Sequence, residues 1–286
     1  MPELPEVETV VREVAPRICG RRFDEAFLID RRLENAGSPA LMQSVLRIGL
    51  GLLPGRLVER VSRRGKFIII HLSGNFEMIV HLRMTGMLLF DPSERLKKFI
   101  RVEFRFEDGL KMFFSDIRRF GRIWVGPREE VRRLCGLNRL GVDPLAEPFS
   151  LDDFLAIMRG RLSRRGRLKS ALLDQSLVAG IGNIYADEIC FRARLHPASR
   201  LEKLRPDDLF SLHEAIGFCL REGIAHNGTT ISDFVGTRGD AGKHQQYLQI
   251  YGRTGDGCYA CGETVLKTRL GGRGTHFCPS CQTLRK

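Results

Sequence analysis

Four cysteines near the C-terminus restrict how this chain can fold more than any other feature. Cys258-x2-Cys261 and Cys278-x2-Cys281 stand 16 residues apart. Two such knuckles let four thiolates converge tetrahedrally on one Zn2+, while the residues between them form a β-hairpin. A pair of disulfides is the competing outcome, and a reducing compartment disfavours it. His276 offers a further ligand, but four thiolates already complete the shell. They leave no open position for catalysis, so the expected zinc is single and structural. Cys19, Cys135, Cys190 and Cys219 are scattered and read as reduced, packed as small hydrophobes.

The 286 residues suffice for about two domains. A formal net charge of +12 calls for a polyanionic partner, phosphate backbone first and an anionic membrane surface second. No apolar run reaches the ~20 residues that a membrane span needs. The opening residues carry Glu3, Glu6 and Glu8 where a signal peptide has a basic and then an apolar stretch, so a cytosolic protein is expected.

Organisation follows from periodicity. Leu4, Val7, Val11 and Val14 recur at helical spacing, with Pro5 suited to a first turn and acids suited to the helix dipole. From about Phe23 to Val125 short apolar runs read as strands: Phe67–Leu72, Met78–Phe90, Ile100–Phe106 and Lys111–Phe114. Ser73-Gly74-Asn75 and Glu107-Asp108-Gly109 supply hairpin turns. Residues 136–150 read as a linker and the part beyond as helical, closed by the cysteine hairpin. The expected divisions are 1–135, 136–150, 151–245 and 246–286.

Two local patterns carry chemistry. Removing Met1 bares Pro2, a secondary amine beside the Glu3 carboxylate. An α-amine titrates near 7.7–8.0, so a useful fraction is neutral and nucleophilic at neutral pH. Its adduct with a sugar aldehyde is an iminium with no N–H to lose, which favours elimination. The plain alternative is that a small second residue only permits methionine removal. Further on, Arg159, Arg161, Arg164, Arg165, Arg167 and Lys169 precede Gly180-Ile181-Gly182-Asn183. The glycine pair lacks the third glycine and the preceding strand of a dinucleotide site. Gly182 and Asn183 instead open a helix whose amides can hold phosphate, or Asn183 is a simple N-cap.

Met1–Val10, Arg64-Gly65-Lys66, His81–Gly86, Asp116–Gly121, Gly180–Glu188, Tyr251-Gly252-Arg253 and the four cysteines occur in order. As a set they resemble the bacterial formamidopyrimidine-DNA glycosylases across essentially the whole chain. The resemblance implies an α+β multidomain fold: an N-terminal β-sandwich with a leading helix, a helix–two-turns–helix domain and a zinc-ribbon hairpin, with DNA in the cleft between the halves. It implies a monomer in the bacterial cytoplasm that acts on damaged double-stranded DNA, with no membrane partner. By the same resemblance Pro2 is the nucleophile, Glu3 the general acid, Glu6 an orienting group, Lys66 an aid to base release and β-elimination, and Arg273 a phosphate grip that assists δ-elimination. Met84, Arg118 and Phe120 would fill the space left by an everted base; His81, Arg164, Lys169 and Asn183 would contact phosphate. Asn227–Gln246 resembles the loop that covers that base.

Three departures stand out. Lys98-Phe99-Ile100-Arg101 occupies the place of a histidine-bearing strand entry, so Lys98 or Arg101 is expected to supply the missing phosphate contact. Ile117 stands in place of a proline, and Gly242-Lys243-His244-Gln245 lacks the usual proline and aromatics. The endonuclease VIII branch, which prefers oxidised pyrimidines, and a non-enzymatic zinc-ribbon DNA-binding protein are the alternatives. Leu4–Thr9 and the Met84/Arg118/Phe120 set favour the purine branch, and the second alternative gives no reason for Pro2-Glu3.

Overall fold

Valine is a poor helix former because its branched Cβ loses rotamer freedom, yet Val7, Val10, Val11 and Val14 all lie in α1 (Leu4–Ile18). With Leu4 and Ile18 they are buried, so packing of that face overrides local propensity. Pro5 sits in the first turn, where its missing N–H has no intrahelical partner to lose.

The computed structural model describes residues 1–29, 49–146, 149–162, 166–231, 236–237 and 239–286. They form two units, Met1–Arg139 with His226–Lys243, and Leu140–Ala225 with His244–Lys286. In the first unit α1 is followed by β1 (Phe23–Leu28), β2 (Val58–Arg64), β3 (Phe67–Leu72), β4 (Phe76–His81) and β5 (Gly86–Leu89). A short α2 (Glu94–Lys97), β6 (Ile100–Phe106), β7 (Lys111–Asp116), β8 (Arg122–Pro127) and α3 (Arg128–Cys135) complete it. Two four-stranded sheets have the orders β1-β6-β7-β5 and β2-β3-β4-β8, and every pairing is antiparallel. One buried cluster takes side chains from both sheets and α1, among them Phe23, Ile68, Ile70, Phe104 and Phe114. This is the β-sandwich with its leading helix.

The expected run Met78–Phe90 divides into β4 and β5, which belong to different sheets. The chain turns through Arg83, whose φ is 57°, and Gly86 donates its N–H to Leu82 O at 2.9 Å. A Cβ on Gly86 would lie 2.4 Å from that oxygen, so only glycine permits the corner.

The second unit holds α4 (Leu151–Leu162), α5 (Leu168–Leu172), α6 (Asn183–Arg192), α7 (Pro206–Ala225) and the hairpin β9 (Leu266–Leu270) and β10 (Arg273–Phe277). Its close helix packing centres on Tyr185, fully buried where Gly223 leaves room for the ring. Among the described residues no helix is long and apolar enough to cross a membrane. One expected boundary moves: 226–243 groups with the first unit, not with the helical region. The cause is hydrogen bonding from that segment to carboxylates of α1, described below.

Candidate functional site

Antiparallel registry gathers most of the expected site at one end of the sandwich. Phe67 pairs with His81 at the β3–β4 end, and His81 pairs with Arg122 at the start of β8. In the other sheet Gly86 pairs with Asp116. The connections beside these pairs therefore meet: Gly65-Lys66, Leu82–Thr85 and Ile117–Gly121. Arg63 Nε, next to the first of them, donates to Glu8 Oε2 at 3.0 Å. That contact ties the β2–β3 hairpin to the first turns of α1, the end that carries Pro2.

At the terminus itself, Pro2 is buried beneath an exposed Met1. Glu3, only 3% exposed, is the N-cap of α1. Its N–H donates to Glu6 Oε2 at 2.7 Å, half of a capping box. The other oxygen of Glu6 accepts the Thr229 N–H, also at 2.7 Å. Glu6 thereby fixes the backbone next to the proline, an orienting arrangement.

Lys66 is buried and its charge acts on His81. Burial first, then the cations of Arg83 and Lys66, drives the His81 pKa down to about 3. The ring is neutral at physiological pH, and Nδ1 accepts the Arg83 N–H at 3.1 Å. The ring proton therefore sits on Nε2, which is left as a donor suited to an anionic oxygen.

Met84, Arg118 and Phe120 are divided between two linked turns. Half-buried Met84 is outside any strand. Exposed Arg118 and Phe120 project from the β7–β8 turn, with Phe120 54% exposed. Buried Asp116 braces both turns. Its Oδ1 accepts the Thr85 hydroxyl and the Arg118 N–H, and its Oδ2 accepts the Gly121 N–H at 2.7 Å. The Thr85 hydroxyl oxygen in turn accepts the Arg118 N–H at 2.9 Å. Neither carboxylate nor hydroxyl stood out in sequence, though Asp116 begins one of the matched motifs.

In the second unit the zinc ligands converge. The four Sγ atoms all lie within 4.8 Å of one another, with Cys258–Cys281 at 3.9 Å and Cys261–Cys278 at 3.5 Å. A tetrahedron with Zn–S near 2.3 Å has edges of about 3.8 Å, so one ion fits. His276 takes no part: its Nδ1 contacts Asp187 Oδ2 at 3.0 Å. Gly271 and Gly272, with φ of 54° and 78°, form the two-residue turn that sets exposed Arg273 opposite Leu270. Both residues have positive φ, which glycine adopts without strain.

Three expectations require correction. Lys169 is completely buried, with Nζ 2.6 Å from Asp187 Oδ1 and donating to Gly274 O and Thr275 Oγ1. Its charge and donors are spent on the hairpin, so it is a brace and not a phosphate contact. Arg101 is likewise buried and donates to Asp116 O at 2.9 Å, leaving exposed Lys98 as the available cation there. Gly182, not Asn183, is the N-cap of α6; Asn183 donates through Nδ2 to Gly274 O at 3.1 Å. Arg164 lies outside the described residues. Sequence reasoning passed over Asp187 and Glu188, although both lie in a matched motif. Glu188 accepts the N–H groups of Gln249, Ile250 and Tyr251 and so holds the entry to the cysteine region; burial raises its pKa despite those bonds.

A basic chain with four converging thiolates, a buried acid pair next to Pro2 and exposed side chains on braced turns has the equipment of a nucleic-acid-binding protein with a candidate catalytic terminus. Comparison with known proteins gives the family. Residues 1–123 match the formamidopyrimidine-DNA glycosylase N-terminal domain, 140–235 its H2TH domain, and 256–284 the zinc finger found in FPG and IleRS. The formamidopyrimidine-DNA glycosylase of Pelotomaculum thermopropionicum is 39% identical over 290 residues, covering 100% of both chains. That of Listeria innocua is 38% identical over 283 residues, covering 99% of this chain and 100% of its own. Among solved structures, the MutM (FPG) protein of Thermus thermophilus superposes with a TM-score of 0.84 at 37% identity, covering 98% of each chain. A mutant Lactococcus lactis FPG in complex with Fapy-dG-containing DNA gives 0.83 at 33% identity, covering 99% of this chain and 100% of that one. The chain belongs to the formamidopyrimidine-DNA glycosylase family.

Proposed function

We propose that this chain excises oxidised purines, 8-oxoguanine and formamidopyrimidines among them, from duplex DNA and then cuts the strand by β,δ-elimination. It would do so as a monomer in the bacterial cytoplasm, on nucleoid DNA. The observation that carries this reading is the gathering of Pro2, Glu3, Glu6, Lys66, Met84, Arg118 and Phe120 at one end of the sandwich. The complex of the Lactococcus relative with Fapy-dG DNA supports the choice of lesion.

The chemistry runs through the terminal amine. Once Met1 is removed, Pro2 N attacks C1′ of the everted nucleotide and the C1′–N bond to the base breaks. The electron pair leaves with the base, which takes up a proton. Glu3 protonates the ring oxygen O4′, the ring opens and the iminium forms between Pro2 N and C1′. Its positive charge acidifies C2′–H; loss of that proton expels the 3′ phosphate, and a second elimination expels the 5′ phosphate. Lys66, beside neutral His81, would assist base release and the first elimination. Eversion costs a few kcal/mol, offset by Phe120 wedged at a base step, Met84 in the vacated space and Arg118 on the orphaned base. His81, Asn183 and Arg273 would grip phosphate, with Arg273 assisting the second elimination.

Borohydride trapping tests the reading. With duplex DNA carrying 8-oxoguanine opposite cytosine, the reduced cross-link should map to Pro2, and an oxidised pyrimidine run in parallel should trap less. A protein that binds this DNA yet gives no adduct would overturn the proposal. A retained Met1 should abolish the cross-link and spare binding.

A further inference from the structure

Away from the terminus, three side chains of the first unit have the layout of an activated nucleophile. Strand alternation puts Ser62 (β2), His71 (β3) and Glu77 (β4) on one face of their sheet. Their neighbours Val61, Ile70 and Met78 point the other way, into the shared core. Registry pairs His71 directly with Glu77 and sets Ser62 opposite Ile69, two residues before His71. Ser62 Oγ lies 2.7 Å from His71 Nε2, and His71 Nδ1 lies 3.0 Å from Glu77 Oε1. Glu77 and His71 are buried, whereas Ser62 is only half-buried and open to solvent.

The carboxylate end is held from α3. Arg132 donates to Glu77 through Nε and Nη2, both at 2.8 Å, and Arg128 Nε adds a third bond at 3.1 Å. Burial alone would raise the Glu77 pKa, but His71 and the Arg132 guanidinium hold it down at about 2. The group is therefore charged at any physiological pH, and a ring nitrogen facing it must carry a proton. In the neutral ring that proton sits on Nδ1, so the Nε2 lone pair meets Ser62 and accepts its hydroxyl. A hydroxyl, an imidazole base and a carboxylate that sets the tautomer are the parts of a serine nucleophile, in order. A serine that only braced the ring would need no access to solvent.

The geometry points to a second reactive centre at Ser62, His71 and Glu77, one that cleaves small activated acyl esters independently of the chemistry at Pro2. Ser62 Oγ attacks the ester carbonyl carbon while its proton passes to His71 Nε2. The C–O bond to the alcohol breaks, and the departing oxygen takes up that proton. Water then attacks the acyl-serine with Nε2 again as base; the carboxylic acid leaves and Ser62 regains its hydroxyl. Exposed Arg60 stands two residues before Ser62 on the same face, opposite His71 in register. Its guanidinium is the group that meets the charge developing on the carbonyl oxygen.

The test uses the full-length processed protein without DNA, and two probes: an alkyl fluorophosphonate and p-nitrophenyl acetate. Ser62 Oγ should bond to the phosphorus of the first as fluoride leaves, and peptide mapping should place the label on Ser62. His71→Gln should slow that labelling about a hundredfold, the ordinary contribution of a general base. Glu77→Gln, whose amide no longer dictates the ring tautomer, should slow it as well. Ser62→Ala should remove the label and lower p-nitrophenyl acetate turnover, with 8-oxoguanine excision unchanged. Arg60→Ala disturbs no buried group and should lower ester turnover several-fold, which keeps the centre testable if the buried variants fail to fold. A wild-type protein with no label on Ser62 overturns the proposal. Labelling equally fast in His71→Gln marks an ordinary exposed serine and overturns it too. A labelled Ser62 with ester turnover undiminished in Ser62→Ala overturns the hydrolytic reaction.

Discussion

Arg118 and Arg273 are both displayed on tight turns, yet the two turns are held by different physics. The Arg118 turn leans on the sandwich, whose buried cluster extends from Val7 to Val125. One carboxylate, Asp116, then suffices to hold it by accepting two backbone N–H groups and a hydroxyl. The Arg273 turn has no such support. Its local cluster of buried residues is Ile250, Cys258, Val265 and Cys278, too small to order a hairpin. Four thiolates and a fully buried ion pair, Lys169–Asp187, supply the rest. A large core leaves only geometry to be specified, whereas a small one needs a metal and charge to fold at all.

That contrast is most severely strained by taking the zinc away. Apparent zinc binding to small fingers is worth about 10–16 kcal/mol and is inseparable from folding. Chelation, or Cys278→Ser, should therefore abolish amide protection over 250–286 and leave the sandwich strands protected. Loss of protection in both regions would mean that the sandwich depends on the finger, and the contrast would fail.

The buried ion pair comes next. Asp187→Leu leaves the Lys169 ammonium buried without its partner, at a cost of about 3–5 kcal/mol. Thermal unfolding of the second unit should fall accordingly, and the salt slope of DNA binding should drop by about one unit as Arg273 loses its placement. Lys169→Met combined with Asp187→Leu should recover most of the stability. If the double variant is no better than the single one, the pair is not the brace described.

The smallest effect is expected at Asp116. Asp116→Ala strips the Thr85 hydroxyl and the Arg118 and Gly121 N–H groups of an acceptor, costing about 2–3 kcal/mol. The sandwich should stay folded. Discrimination by the base opposite the lesion should relax, as measured by excision with adenine against cytosine in that position. A collapse of the whole fold would show that Asp116 supports more than a turn.

Legibility in sequence tracked the range of the interaction. Strands β3 and β6 coincide with the runs Phe67–Leu72 and Ile100–Phe106, because alternation and apolar runs are local signals. The zinc ligands were equally plain, since metal geometry restricts spacing. Lys169 was misread as a phosphate contact, since a lysine at the end of an arginine-rich run looks solvated until Asp187, Gly274 and Thr275 surround it. Of the alternatives Lys98 and Arg101, only the fold shows that Arg101 is consumed by Asp116 O.

By itself, then, the sequence determined strands β3 and β6, the thiolate hairpin with its glycine turn, and the family. Each is written in spacing over a few residues or in a motif. Only the tertiary structure decided which cations face outward and which are consumed inside, and that 226–243 groups with the unit that holds α1. Those outcomes rest on bonds such as Glu6–Thr229 and Glu13–Thr237, more than 200 residues apart in sequence. No local pattern encodes such a contact; it exists only once burial has brought donor and acceptor together away from water.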